Sequence, residues 1–172
     1  MDRIKDTLAT LMDKIPGYTG FKDRKERRES DKHQREFMAR RLTDLKSKMQ
    51  AIQEDFLGAG NLSIMEPFDK IGNKLDRVAE RIRHANQGLS GIQAGPLTTQ
   101  TVEINEDELA RIYEYDLTLV NMIAGAEEAL VAIESAADGS VDPKMALKAL
   151  NTCVTNFDNA LTEREAMLKG IK

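Results

Sequence analysis

Apolar residues recur at alternating steps of three and four along most of the chain, the spacing that lines one face of an α-helix. Ile4, Leu8, Leu11 and Ile15 predict a short first helix over 1–15, stopped by Pro16-Gly17 at the start of a corner over 16–21. The next row is Met38, Leu42, Leu45, Met49, Ile52 and Phe56, broken by Gly58-Ala59-Gly60-Asn61. The third row is the most regular. Ile64, Phe68, Ile71, Leu75, Val78, Ile82, Ala85, Leu89 and Ile92 predict a helix over 64–92, with Ser63 and Glu66 as a capping box ahead of Pro67. Residues 94–104 have no helical pattern and read as a linker.

A fourth helix is expected over 105–138, capped by Asn105, with Glu106, Asp107 and Glu108 on the positive end of its dipole. Its seam is Leu109, Ile112, Asp116, Leu119, Ile123, Ala126, Leu130 and Ile133. Gly139-Ser140 turns the chain, and Asp142-Pro143 opens a fifth helix over 142–171. Its seam is Ala146, Leu150, Cys153, Phe157, Ala160, Arg164, Met167 and Ile171, widened by Leu147, Val154, Leu161 and Leu168. Faces this wide belong inside a bundle. The pattern predicts an all-α protein with one domain over 1–172. Its architecture is an antiparallel four-helix bundle of two long helical hairpins with an additional short N-terminal helix.

The second row, traced backwards from Met38, changes character. It runs through Arg35, Asp31, Arg28 and Arg24 to Phe21, within fifteen residues (22–36) that have no apolar side chain. The helix is expected to continue over 22–57, a length of about 54 Å at ~1.5 Å per residue. Opposite charges stand one turn apart at Lys22/Glu26, Asp23/Arg27, Lys25/Glu29, Arg27/Asp31, Asp31/Arg35, Lys32/Glu36 and Glu36/Arg40. Each pair stabilises a helix by ~0.2–0.5 kcal/mol, enough in sum to keep a solvated segment helical. Only the later part of this helix is expected to bury an apolar stripe. The competing reading is a docking arm, with Arg24, Arg28 and Arg35 forming a face for an acidic partner and Tyr18 and Phe21 positioning it. The two rings need burial, so a packed corner that folds the first helix back is expected there.

The run Ile15-Pro-Gly-Tyr-Thr-Gly-Phe, with the mixed-charge helix after it, resembles the opening of uncharacterised bacterial helical proteins. Those proteins begin with a short helix, an Ile-Pro-Gly-Tyr-x-Gly-aromatic corner and a basic-acidic helix. The resemblance covers about the first forty residues and implies a recurring structural corner. It implies no activity and no site.

Composition sharpens the picture in two ways. The chain has 172 residues, no tryptophan and 5% aromatic residues, which agrees with helices throughout. Its net charge of −4 is unevenly spread. Residues 1–50 hold 14 Lys/Arg against 9 Asp/Glu, residues 51–100 hold 5 against 6, and residues 101–172 hold 6 against 14. Such mixing disfavours a nucleic-acid partner and favours a protein partner or self-association.

Candidate chemistry is sparse. The histidines occur as Glu29-x-x-x-His33 and Glu80-x-x-x-His84, not at the Glu-x-x-His spacing of di-metal bundles, so no metal site is expected. Cys153 falls in a core seam, where a thiol behaves as a small hydrophobe. With one cysteine and charges interrupting the first twenty residues, a reducing cytoplasm is the expected location. Asp116 and Arg164 are the charged residues of the last two seams, and each lies 24 positions from residue 140. An antiparallel hairpin would bring them level as a buried structural ion pair. The expected function is a non-enzymatic adaptor or self-assembling scaffold without cofactor or small-molecule substrate. The alternatives are a peripheral membrane scaffold using the apolar face Ile4, Leu8, Leu11, Met12 and Ile15, and, third, a carboxylate metal enzyme.

Overall fold

The computed structural model describes residues 2–21, 23–84, 104–136 and 142–170, and every regular element among them is helical. In chain order these are α1 (Asp2–Lys14), α2 (Arg24–Gly58), α3 (Met65–His84), α4 (Glu106–Ser135) and α5 (Pro143–Gly170). A short 3₁₀ turn over Leu62–Ile64 precedes α3.

The periodic rows are the buried ones. Every member of the α2 row from Met38 to Phe56 is buried, and so is the α3 row from Phe68 to Ile82. The α4 seam is buried from Ile112 to Ile133. In α5 both stripes face inward, with Cys153 and Met167 only half-buried. The ends of two predicted elements cannot be compared: Ala85, Leu89 and Ile92 of the third row, and Ile171 of the fifth, lie outside the described residues.

Helix starts follow the chemistry of unsatisfied N–H groups. Asn105 Oδ1 accepts from the Glu108 amide at 2.9 Å, and Glu108 Oε2 accepts from the Asn105 amide at 3.0 Å. Asp142 Oδ1 accepts from the Lys144 amide at 2.9 Å. The expected capping role of Ser63 is not what the structure contains. Its hydroxyl donates to Asn61 Oδ1 at 3.1 Å, and the α-helix begins only at Met65. Pro67 fits the first turn of that helix, where a missing N–H costs nothing.

α2 runs antiparallel to α3, as the ladder of Thr43 with Arg83, Lys46 with Asp76 and Gln53 with Asp69 requires. α4 packs along α5, and the two pairs meet through α2 on α4 and α3 on α5. α3 and α5 run parallel: Lys74 reaches Asn151 and Thr155, whereas Arg81, further on, reaches Asp158 and Glu165. α1 lies on α4, with Leu11 and Ile15 fully buried and Ile4 and Leu8 half-buried. Its apolar stripe therefore points inward, leaving Met12 exposed.

Two apolar clusters result. The larger fills the space among α2, α3, α4 and α5. The smaller joins Leu11, Ile15, Tyr18 and Phe21 to Ile112, Tyr113 and Val120 of α4 and Leu168 of α5. Phe37, half-buried, touches both.

The cap at Asn105 leads into the α4 end that carries the smaller cluster. Asn105→Ala should lower the unfolding free energy by about 1 kcal/mol in urea denaturation. Asn105→Asp, which keeps the accepting oxygen, should cost much less.

Candidate functional site

The polar half of α2 is not solvated on all sides. Ser30 and Gln34 lie eight and four residues before Met38, beside the row traced through Arg35 and Asp31, and both are buried together with Asp31. The expectation of a self-supported helix in water is corrected here. What this part of the helix buries is polar: Ser30 Oγ, Asp31 Oδ2 and Gln34 Oε1 are hydrogen-bonded, whereas Asp31 Oδ1 and Gln34 Nε2 are buried without a hydrogen-bond partner among the described residues.

Arg164 is the hub. Its Nε donates to Asp116 Oδ1 at 2.6 Å and its Nη2 donates to Gln34 Oε1 at 2.6 Å. Nη1 stands 3.6 Å from Asp31 Oδ1. The other oxygen of Asp116 accepts from the Tyr18 hydroxyl at 2.7 Å. Asp31 Oδ2 accepts from Arg35 Nε at 2.9 Å. Two carboxylates and two guanidinium groups thus form a neutral cluster at the junction of the corner, α2, α4 and α5.

Burial acts against the charge of Arg164, but Asp116 and Asp31 more than offset it and hold the guanidinium pKa above its ordinary value. Burial also raises the pKa of Tyr18 well above 10, and the neighbouring Asp116 carboxylate adds to that rise while Arg164 opposes it. The cluster is a structural clamp with its proton fixed on Tyr18.

The corner is shaped to reach it. Gly17 has φ +83° and Gly20 has φ +115°, both in the left-handed region that favours glycine. A Cβ at Gly17 would stand 2.8 Å from the His33 ring, and one at Gly20 would stand 2.9 Å from the Tyr113 hydroxyl. Ser30 Oγ accepts from the amides of Thr19 and Gly20, at 3.0 and 2.9 Å. Tyr113 Oη accepts from the Phe21 amide at 3.0 Å. The rings of Tyr18, Phe21 and Tyr113 stand edge to face or tilted, with centroids 5.9–6.4 Å apart.

Asp116 and Arg164 are therefore brought together, whereas the three arginines of the docking face are not presented as one surface. Arg35 turns toward Asp31, and its side chain retains 16% of its exposure. Arg28 is exposed, and the side chain of Arg24 lies outside the described residues. Tyr18 and Phe21 are buried and offer nothing to a partner directly. Ser30, Asp31 and Gln34 as internal groups were missed by the sequence reading. The row traced from Met38 through Arg35, Asp31 and Arg28 holds only one of them, Asp31, whereas Ser30 and Gln34 stand beside it at successive steps of four from Met38.

The remaining candidates are peripheral. His84 is exposed and meets Glu80 at 3.0 Å, and His33 covers the corner at Gly17. Among the described residues no group of three or more His, Cys, Asp or Glu is placed to hold a metal ion. No helix among them is long and apolar enough to cross a membrane. No family model matches the chain, and no curated protein or solved structure shows a significant similarity to it.

Removing one charge from the clamp should cost more than removing a pair. Asp116→Ala should destabilise by about 3–5 kcal/mol, because Arg164 and the Tyr18 hydroxyl lose their closest partner. Asp116→Leu combined with Arg164→Leu leaves Asp31 with Arg35 and should cost less in the same denaturant titration. Equal costs would mean that the pair is not coupled.

A second test uses pH. Tyr18 keeps its proton in the folded state, while in the unfolded chain it ionises near 10. The unfolded state then binds fewer protons, so stability falls above pH 10, with a limiting slope of about 1.4 kcal/mol per pH unit for one group. Tyr18→Phe should be less stable than wild type at pH 7, and the gap should narrow as pH rises from 10 to 11. Parallel stability curves across that range would show that Tyr18 is not held protonated.

Proposed function

We propose that the protein is a non-enzymatic interaction protein, an adaptor or a self-assembling scaffold. On this reading it is a four-helix bundle of two antiparallel hairpins, α2–α3 and α4–α5, with a short N-terminal helix. The observation that carries the reading is the clamping of α2. Ser30, Asp31 and Gln34 are gripped by the corner and by α5, so the opposite face of the same helix is held in one direction. That face carries Arg28, Lys32, Glu36 and Arg40 at successive turns, all exposed. A charged surface on a fixed backbone meets a partner with less ordering cost than a free helix would. It also steers encounter with a surface of opposite sign.

The excess of positive charge in residues 1–50 and of negative charge in residues 101–172 supplies such a surface on a second copy, or on an acidic protein. The corner that resembles the bacterial proteins would then serve as the clamp for this helix. A reducing cytoplasm suits the single, half-buried Cys153 thiol. The membrane-scaffold reading needs the apolar stripe of α1 to be free, and Leu11 and Ile15 are buried.

Absolute mass from light scattering tests this. An oligomer that dissociates in high salt, and in Arg28→Glu/Lys32→Glu/Arg40→Glu, is the expected result for a scaffold. A monomer under every condition would sink self-assembly and leave only the adaptor reading. The same charge-reversed chain then serves as the control in a partner capture experiment.

A further inference from the structure

A groove of about 730 Å³ runs between the first halves of α3 and α5. Its cationic residues are Lys70, Lys74 and Arg77 from α3 and Lys144 and Lys148 from α5, and among the described residues no acidic residue lines it. The acidic residues of the segment 101–172 lie mostly before α5, which itself holds four Lys/Arg against three Asp/Glu. The two helices run parallel, so both positive dipole ends lie at the same end of the groove. On α3 the cations stand at i, i+4 and i+7, and on α5 at i and i+4, so each row spans about 10 Å or less.

The ammonium of Lys74 is set in place. Asn151 Oδ1 and Thr155 Oγ1 accept from it at 2.6 and 2.8 Å, two of the three hydrogen bonds it can donate. Lys70 pairs with Glu66 at 2.6 Å and Arg77 with Asp158 at 3.4 Å, and both cations remain well exposed. Neither Lys144 nor Lys148 has a carboxylate partner among the described residues.

The floor decides which anion fits. Ile71 and Leu147 line the groove but retain only 2% and 1% exposure, so they offer no apolar surface for the anchors of a docked helix. The polar groups that an anion would meet are the five cations and the Asn73 and Asn151 amides, beside the half-buried Pro67. The volume lies within the roughly 300–1,000 Å³ typical of small-molecule sites. Four of the five cations are lysines, which meet phosphate as point charges. We infer that this groove binds a small phosphorylated anion carrying several negative charges, of the oligophosphate class. The inference does not rest on the proposed scaffold or adaptor role, which concerns a different face.

Calorimetric titration of the full chain with sodium tripolyphosphate, at low and at near-physiological salt, tests it. The expected result is one site per chain, weakened at least tenfold in Lys144→Gln/Lys148→Gln. Both residues are exposed, so the fold should persist, and a thermal melt checks this. Lys48→Gln/Arg111→Gln, both exposed and away from the groove, removes the same charge elsewhere and should change affinity less than twofold. Absence of binding would overturn the inference. So would equal weakening by both pairs, which would mean attraction by general charge. Hexaglutamate binding as tightly as tripolyphosphate would also overturn it, and would mark the groove as a surface for acidic peptides.

Discussion

The contact between Arg164 and Asp116 holds the rest of the arrangement in register. It joins α4 to α5 at one level, and through Tyr18 and Gln34 it also draws in the corner and the first turns of α2. Apolar packing alone would not set that level, because rows of Leu, Ile and Ala tolerate a slip of one turn. A buried charge does not, since the slipped state leaves it unpaired at a cost of several kcal/mol. The clamp therefore specifies which of several similar packings is adopted.

That role explains the two kinds of core. The larger cluster, among α2, α3, α4 and α5, is built from aliphatic residues and four phenylalanine rings, including the half-buried Phe37. The smaller cluster surrounds the charges with Tyr18, Phe21 and Tyr113, which combine large apolar area with hydroxyls that can be placed in bonds. Each hydroxyl has its own duty. That of Tyr18 donates to a carboxylate, and that of Tyr113 accepts from a backbone amide left open by the Gly20 turn.

Most of the helical framework was legible from spacing alone, and the reason is physical. Rows such as Ile71, Leu75, Val78 and Ile82 have one low-energy destination. The Asp116–Arg164 level could also be read, because equal distances from a turn translate into equal heights. The polar half of α2 was not legible in the same way. Ser30 and Gln34 stand at steps of four from Met38, but whether such polar positions face water or a polar partner depends on residues far away in the chain. Arg164 lies 130 positions from Gln34, and nothing local to α2 announces it. The α3–α5 groove was hidden for a similar reason. Lys70 and Lys148 become neighbours only through the parallel packing of two helices that the charge balance of each third had kept apart.

The order in which the clamp's parts occur along the chain has a consequence for synthesis. The corner and α2 emerge first, Asp116 follows, and the cation that neutralises both Asp116 and the Gln34–Asp31 row comes last, in α5. Until Arg164 leaves the ribosome, Asp116 lacks this cation and Gln34 Oε1 lacks its donor, although Ser30 can already bond the corner amides and Arg35 can already pair with Asp31. Completion of the clamp is thus a late event. A nascent or prematurely terminated chain would display the Tyr18–Phe21 aromatics to its surroundings, a feature that distinguishes an incomplete molecule from a finished one.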